Sequence, residues 1–219
     1  MRAVALRDFP RTGLYVILDR SRVAPRQAEE LLGVCLDEGA RVVQYRDKAP
    51  AETYDLDLLR RLAALCRAHA VPFLINDHPE VAAAVGAEGV HLGRDDAPIA
   101  EARTRLGIGA IVGVSCYDDL GRARNAERDG ADYVAFGSFY PSATKPGATR
   151  ANPEILVQAR TLLTRPVVAI GGIDESNAPP LLAAGADLLA VAGALFAEPS
   201  PQAVRVRARR FAALFAEAV

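Results

Sequence analysis

Eight times between Leu14 and Phe196 a short apolar run gives way to a longer stretch with amphipathic-helix spacing, and that alternation constrains this chain more than any other feature. The apolar runs predict strands at 14–18, 42–45, 73–75, 90–92, 111–114, 133–136, 167–170 and 188–191. Helical spacing falls between and after them, at 26–38, 52–69, 81–85, 99–106, 120–129, 153–163, 176–184 and 201–218. At about 23 residues per unit there is room for a strand, a helix and two short connections. Strands that alternate with helices pair in parallel with the helices outside, and eight such units close as a (β/α)8 TIM barrel. No linker or shift of composition interrupts the series. One α/β domain is therefore expected over 1–219, with strand–helix units from about 14 to 196 and a last helix at 201–218.

Joins of the form Glu38-Gly39-Ala40, Ala87-Glu88-Gly89, Asp129-Gly130-Ala131-Asp132 and Ala184-Gly185-Ala186-Asp187 precede several strands. Their glycines are expected to take left-handed helix ends and to be structural. In a barrel the chemistry belongs at the opposite rim, directly after each strand.

After the second strand the chain reads Gln44-Tyr45-Arg46-Asp47-Lys48. Alternation turns Gln44, Arg46 and Lys48 to one face and Tyr45 and Asp47 to the other. Two cations together in the barrel mouth call for an anion, unless both reach out to solvent. Asn76-Asp77 follows the third strand, and His91-Leu92-Gly93-Arg94-Asp95-Asp96 spans the fourth and its loop. Neighbouring loops let Asp77 face Asp95 or Asp96. That pair is either a Mg²⁺ position or two helix caps, and spacing alone does not decide. His91 reads as a packed core histidine. Ser115, just after the fifth strand, caps the next helix or bonds a ligand.

The stretch 137–150, GSFYPSATKPGATR, follows the sixth strand. Ser142, Thr144, Thr149 and Lys145 suit phosphate oxygens, so it is a closing loop or an ordinary polar surface loop. Gly171-Gly172 and Ala192-Gly193 follow the seventh and eighth strands, where small residues let backbone N–H groups approach phosphate.

A net charge of −1 with dispersed arginines gives no nucleic-acid footprint, and no apolar run is long enough to span a membrane. The first residues lack the apolar core of a secretory signal. Cys35, Cys66 and Cys116 form no CxxC pair, so buried free thiols and a cytoplasmic setting are expected.

Taken together, Gln44 to Lys48, Ile75-Asn76-Asp77, Gly89 to Asp96, Gly113-Val114-Ser115, Pro141 to Lys145 and Ala169 to Ile173 resemble the thiamin-phosphate synthase (thiamin-phosphate pyrophosphorylase) family across almost the whole chain. The resemblance implies a transferase of thiamine biosynthesis. It would couple a hydroxymethylpyrimidine diphosphate to a thiazole phosphate and release diphosphate, with Mg²⁺ as cofactor. It implies that Gln44, Tyr45, Arg46, Asp47, Lys48, Asn76, Ser115 and Lys145 hold the pyrimidine diphosphate, with Arg46, Lys48, Ser115 and Lys145 acting in catalysis. Asp77 and Asp96 would hold Mg²⁺. Ser142, Ala143, Thr144, Gly172, Ala192 and Gly193 would hold the thiazole phosphate. Two positions depart from the pattern: Ser142 stands where Thr is common, and Gly193 where Ser is usual.

Small-molecule substrates are thus the expected partners, without nucleic acid or membrane, and homo-oligomerisation stays open. Two other readings share the barrel. One is a thiazole tautomerase-like relative, which places a histidine where this chain has Tyr117; the other is a non-catalytic phosphate-ligand sensor.

Overall fold

The structure is a computed structural model and describes residues 9–141 and 150–216. Eight parallel strands close in sequence order: β1 Gly13–Asp19, β2 Val42–Arg46, β3 Phe73–Asn76, β4 Gly89–Leu92, β5 Ile111–Tyr117, β6 Tyr133–Phe136, β7 Val167–Ile170 and β8 Leu188–Val191. The seam is β1 against β8, with Gly13 opposite Leu188 and Val16 opposite Val191. Helices α1 Pro25–Asp37, α2 Leu56–Ala68, α3 Pro79–Val85, α4 Ile99–Leu106, α5 Leu120–Arg128, α6 Glu154–Leu162, α7 Pro179–Ala183 and α8 Pro201–Ala216 follow the strands in turn. This is the (β/α)8 barrel that the alternation predicts.

Three elements differ from the sequence reading, each for a local reason. The helix expected over 52–69 is a 3-10 turn, Ala51–Thr53, followed by α2. Asp55 divides them, because its carboxylate accepts from Leu58 N (2.9 Å) and starts a new helix there. The helix expected over 176–184 shrinks to α7. Asp174 takes the N–H groups of Ser176 and Asn177 into a turn, and a helix then begins at Pro179, which needs no N–H partner. Strand β5 runs on to Tyr117, with a register irregularity between Ser115 and Tyr117. Positions 217 and 218 of the last expected helix lie outside the described residues.

Strand alternation sorts the core into two parts. Leu14, Val16 and Leu18 face the helices, whereas Tyr15 and Ile17 face into the barrel with Val42, Leu74, Ile111 and Leu188. Phe9 joins the interior set from the N-terminal side, stacked on Tyr133 with centroids 4.1 Å apart. Gly113 makes room for that tyrosine, since a Cβ at 113 would overlap the Tyr133 ring.

At the floor the joins carry out a specific task. Asp132 accepts from Val112 N (2.8 Å), Asp187 from Val167 N (2.7 Å) and Glu88 from Phe73 N (3.1 Å). Each acid thus pairs an N–H at the start of an adjacent strand, the first residue of β7 and of β3 and the second of β5. Gly39, Gly130 and Gly185 have the expected positive φ. Before the remaining join, Ala87-Glu88-Gly89, the left-handed residue is Gly86, the C-cap of α3, rather than Gly89. Gly89 is glycine because a Cβ there would run into the backbone of Ile111.

Candidate active site

At the C-terminal ends of the strands lies a cavity of about 340 Å³, to which all eight strands or their following loops contribute. This is the rim where barrels place their chemistry.

Strand β2 supplies the first wall. Gln44 and Arg46 point inward, both buried and both lining the cavity. Arg46 pairs with Asp19, the last residue of β1, which is 2% exposed. Asp19 is held in turn by Ser21 N (2.9 Å). The anion that a buried arginine needs is therefore supplied within the protein. Lys48 is not buried beside it: the side chain is 62% exposed and reaches Asp77 Oδ2 at 3.5 Å. Tyr45 and Asp47 face outward, as alternation requires, and do not line the cavity. Tyr45 Oη donates to Asp47 Oδ2 (3.2 Å) and its ring meets Tyr54 edge-on. The side chains of Tyr45 and Asp47, both expected at the pyrimidine diphosphate, thus lie on the helix side of β2 and brace its loop.

Loops after β3 and β4 bring two carboxylates together. Asp77 carries a left-handed backbone (φ 66°), and its N–H donates to His91 O (2.8 Å). Burial first, and then the neighbouring Asp96 carboxylate, raise the Asp77 pKa above its ordinary value, while Lys48 pulls it down. Asp96 accepts from Gly93 N. Neither acid caps a helix: α3 and α4 begin after His78 and Pro98 without a side-chain cap. Asp95 is exposed. Two oxygen-donor carboxylates held together against mutual repulsion form a set that suits a hard divalent cation. Among the described residues no cluster of three His, Cys, Asp or Glu forms, so such a cation would complete its shell with other oxygens.

A buried polar chain crosses the barrel at the base of the cavity, which its members Gln44, His91 and Ser115 also line. Gln44 Nε2 donates to Tyr15 Oη (2.8 Å), and Tyr15 Oη meets Tyr133 Oη at 2.7 Å. Tyr133 Oη meets His91 Nδ1 at 2.8 Å, and His91 Nε2 meets Ser115 Oγ at 2.8 Å. Burial pushes both phenols far above their usual pKa, so both remain protonated. Ser115 does not cap α5; Asp119 does, accepting from Arg122 N (2.9 Å). Arg122 also donates to Ser115 O (2.7 Å) and Gly93 O (2.8 Å), tying the rims of β4 and β5 together.

The remaining wall is mostly backbone. Gly171 and Gly172 have positive φ, and a Cβ on either would strike the loop after β6, at Ser138 or at Tyr140 and Pro141. Gly193 differs: it lines the cavity and a Cβ there would meet nothing within 4 Å. Asn76, Ser115, Ala192 and Tyr117 line the same space. Ser142, Ala143, Thr144 and Lys145 lie outside the described residues. Tyr15, Asp19, Arg22 and Tyr133 belong to this site or its support, and sequence reasoning passed over them. Asp19 and Arg22 follow from applying the rim rule to β1 as well. The two tyrosines look like ordinary core aromatics until the barrel closes.

A family model described as thiamine monophosphate synthase matches residues 14–195. The chain belongs to the thiamine monophosphate synthase family. Within it, a thiamine-phosphate synthase of Marinobacter nauticus is 49% identical over 214 residues, covering 96% of this chain and 94% of that protein. One from Thioalkalivibrio sulfidiphilus is 50% identical over 177 residues, covering 81% and 82%. Among solved structures, a thiamine phosphate pyrophosphorylase from Pyrococcus furiosus superposes with a TM-score of 0.83 at 32% identity, covering 95% and 98%. A 3-hexulose-6-phosphate synthase at 19% identity and TM-score 0.70 shares the barrel alone. As a thiamine monophosphate synthase family member the chain is a transferase, and neither the tautomerase-like nor the sensor reading is favoured by these relatives.

Proposed function

We propose that this transferase joins 4-amino-2-methyl-5-hydroxymethylpyrimidine diphosphate to thiazole phosphate, giving thiamin phosphate and diphosphate. The observation that carries the reading is one rim cavity that meets Gln44 and Arg46, with a Lys48-linked carboxylate pair beside it.

Gln44 uses one amide N–H on Tyr15, which leaves a donor and an acceptor edge complementary to an aminopyrimidine. Arg46, Lys48, Asn76 and Ser115 surround the diphosphate. The family resemblance adds Lys145 to that group, and Ser142, Ala143 and Thr144 to the thiazole phosphate. Gly172, Ala192 and Gly193 complete the phosphate cradle with backbone donors. Asp77 and Asp96 would hold Mg²⁺ by the oxygen chemistry described above. When bound, the ion offsets charge on the diphosphate leaving group. Arg46 meets the same developing charge from a buried, preoriented position, where a cation acts more strongly than in water. The pyrimidine stabilises the carbocation left behind, and the thiazole nitrogen attacks it. That route asks the protein for alignment and exclusion of water more than for a general base. Cys35, Cys66 and Cys116 stand apart from it: all three are buried free thiols, and burial pushes Cys35 and Cys116 up to about 12. Among the described residues no helix is long and apolar enough to cross a membrane, and a cytoplasmic setting fits a small-molecule biosynthetic step.

The test incubates the purified protein with both substrates, with Mg²⁺ or with a chelator. Thiamin phosphate and diphosphate are expected only with Mg²⁺. Absence of the coupled product would refute the reaction; undiminished turnover in chelator would refute the metal. Asp77→Ala should lower turnover on the order of a thousandfold, as loss of several kcal/mol of charge stabilisation implies.

A further inference from the structure

The polar chain at the base of the cavity has a direction. Tyr15 is fully buried and has one phenolic proton and two hydrogen-bond partners, Gln44 and Tyr133. Gln44 donates to it through Nε2, so the Tyr15 proton has Tyr133 Oη as its acceptor. Any other arrangement leaves a buried O–H without a partner, at the full cost of its desolvation. Tyr133, which now accepts from Tyr15, must place its own proton on His91 Nδ1. A ring that accepts at Nδ1 is the neutral Nε2–H tautomer, and it donates to Ser115 Oγ. The Ser115 hydroxyl, with its acceptor side engaged from below, has its proton left for the cavity that it lines.

We propose that Tyr15, Tyr133 and His91 are positioning residues. They form a one-way relay from Gln44 to Ser115 that commits the Ser115 hydroxyl to donating into the cavity, toward an anionic oxygen of the bound diphosphate. The proposal rests on the reading of Ser115 as a substrate contact. Tyr15 and Tyr133 do not line the cavity; His91 does, and its role here is to hold the Ser115 hydroxyl. The two polar side chains at the ends of the relay thereby act as one unit: reversing the Gln44 amide would reverse every bond and turn Ser115 into an acceptor facing an anion. The surroundings hold the tyrosine end of the relay in place, with Tyr15 and Tyr133 fully buried. Phe9 stacks on Tyr133, and Gly113 leaves the space that its ring fills. Arg122 fixes the Ser115 backbone.

The chain has three histidines, so nitrogen-15 NMR on histidine-labelled protein reads His91 directly, with His91→Asn for assignment. In the ligand-free wild type the relay requires a neutral ring protonated at Nε2. A ring protonated at Nδ1 overturns the proposal without reference to catalysis. Tyr133→Phe should release that tautomer preference. Kinetics supply the second readout. Ser115→Ala and Tyr133→Phe should each lower kcat/KM for the pyrimidine diphosphate by about tenfold, the scale of one hydrogen bond. The double variant should be no worse than Ser115→Ala, because Tyr133 acts only through Ser115. Multiplicative losses would overturn the relay by showing that Tyr133 is merely structural. Should Ser115→Ala cost nothing while His91 keeps the Nε2 proton, the substrate role of Ser115 fails and the relay's direction survives.

Discussion

At the scale of single residues, charge and space set what each position at the rim can do. Gly193 stands where the family resemblance leads one to expect Ser, and a Cβ there meets nothing within 4 Å. Gly193→Ser should fold normally and tighten thiazole-phosphate binding by at most about tenfold, the gain from one neutral hydrogen bond. Gly193→Asp should raise the KM for thiazole phosphate with an unchanged melting curve, and unchanged binding would move the phosphate elsewhere. Arg22 lines the cavity from the loop after β1, next to the β8 loop, and among the described residues its guanidinium has no ion-pair partner. Arg22→Ala should therefore weaken binding of a phosphate-bearing substrate by about tenfold, consistent with a charged hydrogen bond worth about 1.5 kcal/mol; steady-state KM values for both substrates would show which phosphate it meets. Asp77 yields a pH dependence. Its folded pKa is raised, so below about pH 4, the ordinary aspartate value, it is protonated folded and unfolded alike and costs nothing. As pH rises through the raised value, the folded protein must ionise a buried carboxyl beside Asp96 and loses stability. Asp96→Asn keeps an oxygen for Gly93 N and removes the repulsion. The ligand-free variant should melt higher than wild type near pH 7, and the difference should vanish near pH 3.5. A pH-independent difference would mean the two acids do not interact.

At the scale of elements, close approach of backbones decides more than helix propensity does. The acids of the floor joins tie the N-terminal ends of neighbouring strands, and Gly89 lets β4 lie against β5. Gly89→Ala should be severely destabilising, because the added carbon meets Ile111 backbone rather than a movable side chain. Soluble yield and a melting curve would check it, and a wild-type melting temperature would contradict the packing. Strand β5 shows how an element is shaped by its neighbours. Its sequence predicts an end at 114, but pairing with β6 carries it to Tyr117 through an irregularity. That bend places Tyr117 in the cavity, with Arg94 over its ring at 4.7 Å.

At the scale of the molecule, closure makes an interior with a sealed floor and a polar mouth. Phe9 closes the floor under Tyr133, although it precedes the first strand and no strand pattern includes it. Phe9→Ala should cost about 3–5 kcal/mol of stability, the usual range for deleting a buried phenylalanine side chain. Chemical denaturation would measure it. A loss under 1 kcal/mol would show that the floor collapses to fill the gap.

The eight strands, their order and their inward and outward faces follow from local pattern, because strand period and connection length leave few ways to bury these apolar runs. The rim rule then drew attention to Gln44, Arg46, Asp77, Asp96 and Ser115 from their places after predicted strands. What local pattern does not contain is distance across the barrel. Tyr15 and Tyr133 are 118 positions apart in sequence, and only closure sets their hydroxyls 2.7 Å from one another. Tertiary structure likewise gave Arg46 its own anion in Asp19, sent Lys48 to solvent, and turned Tyr45 and Asp47 away from the cavity. It also resolved the pairing of Asp77 in favour of Asp96 over Asp95. The physical reason is common to all of these. Periodicity reports which face a side chain occupies, whereas hydrogen bonds and ion pairs depend on the separation of atoms that the chain brings together only once the barrel has closed.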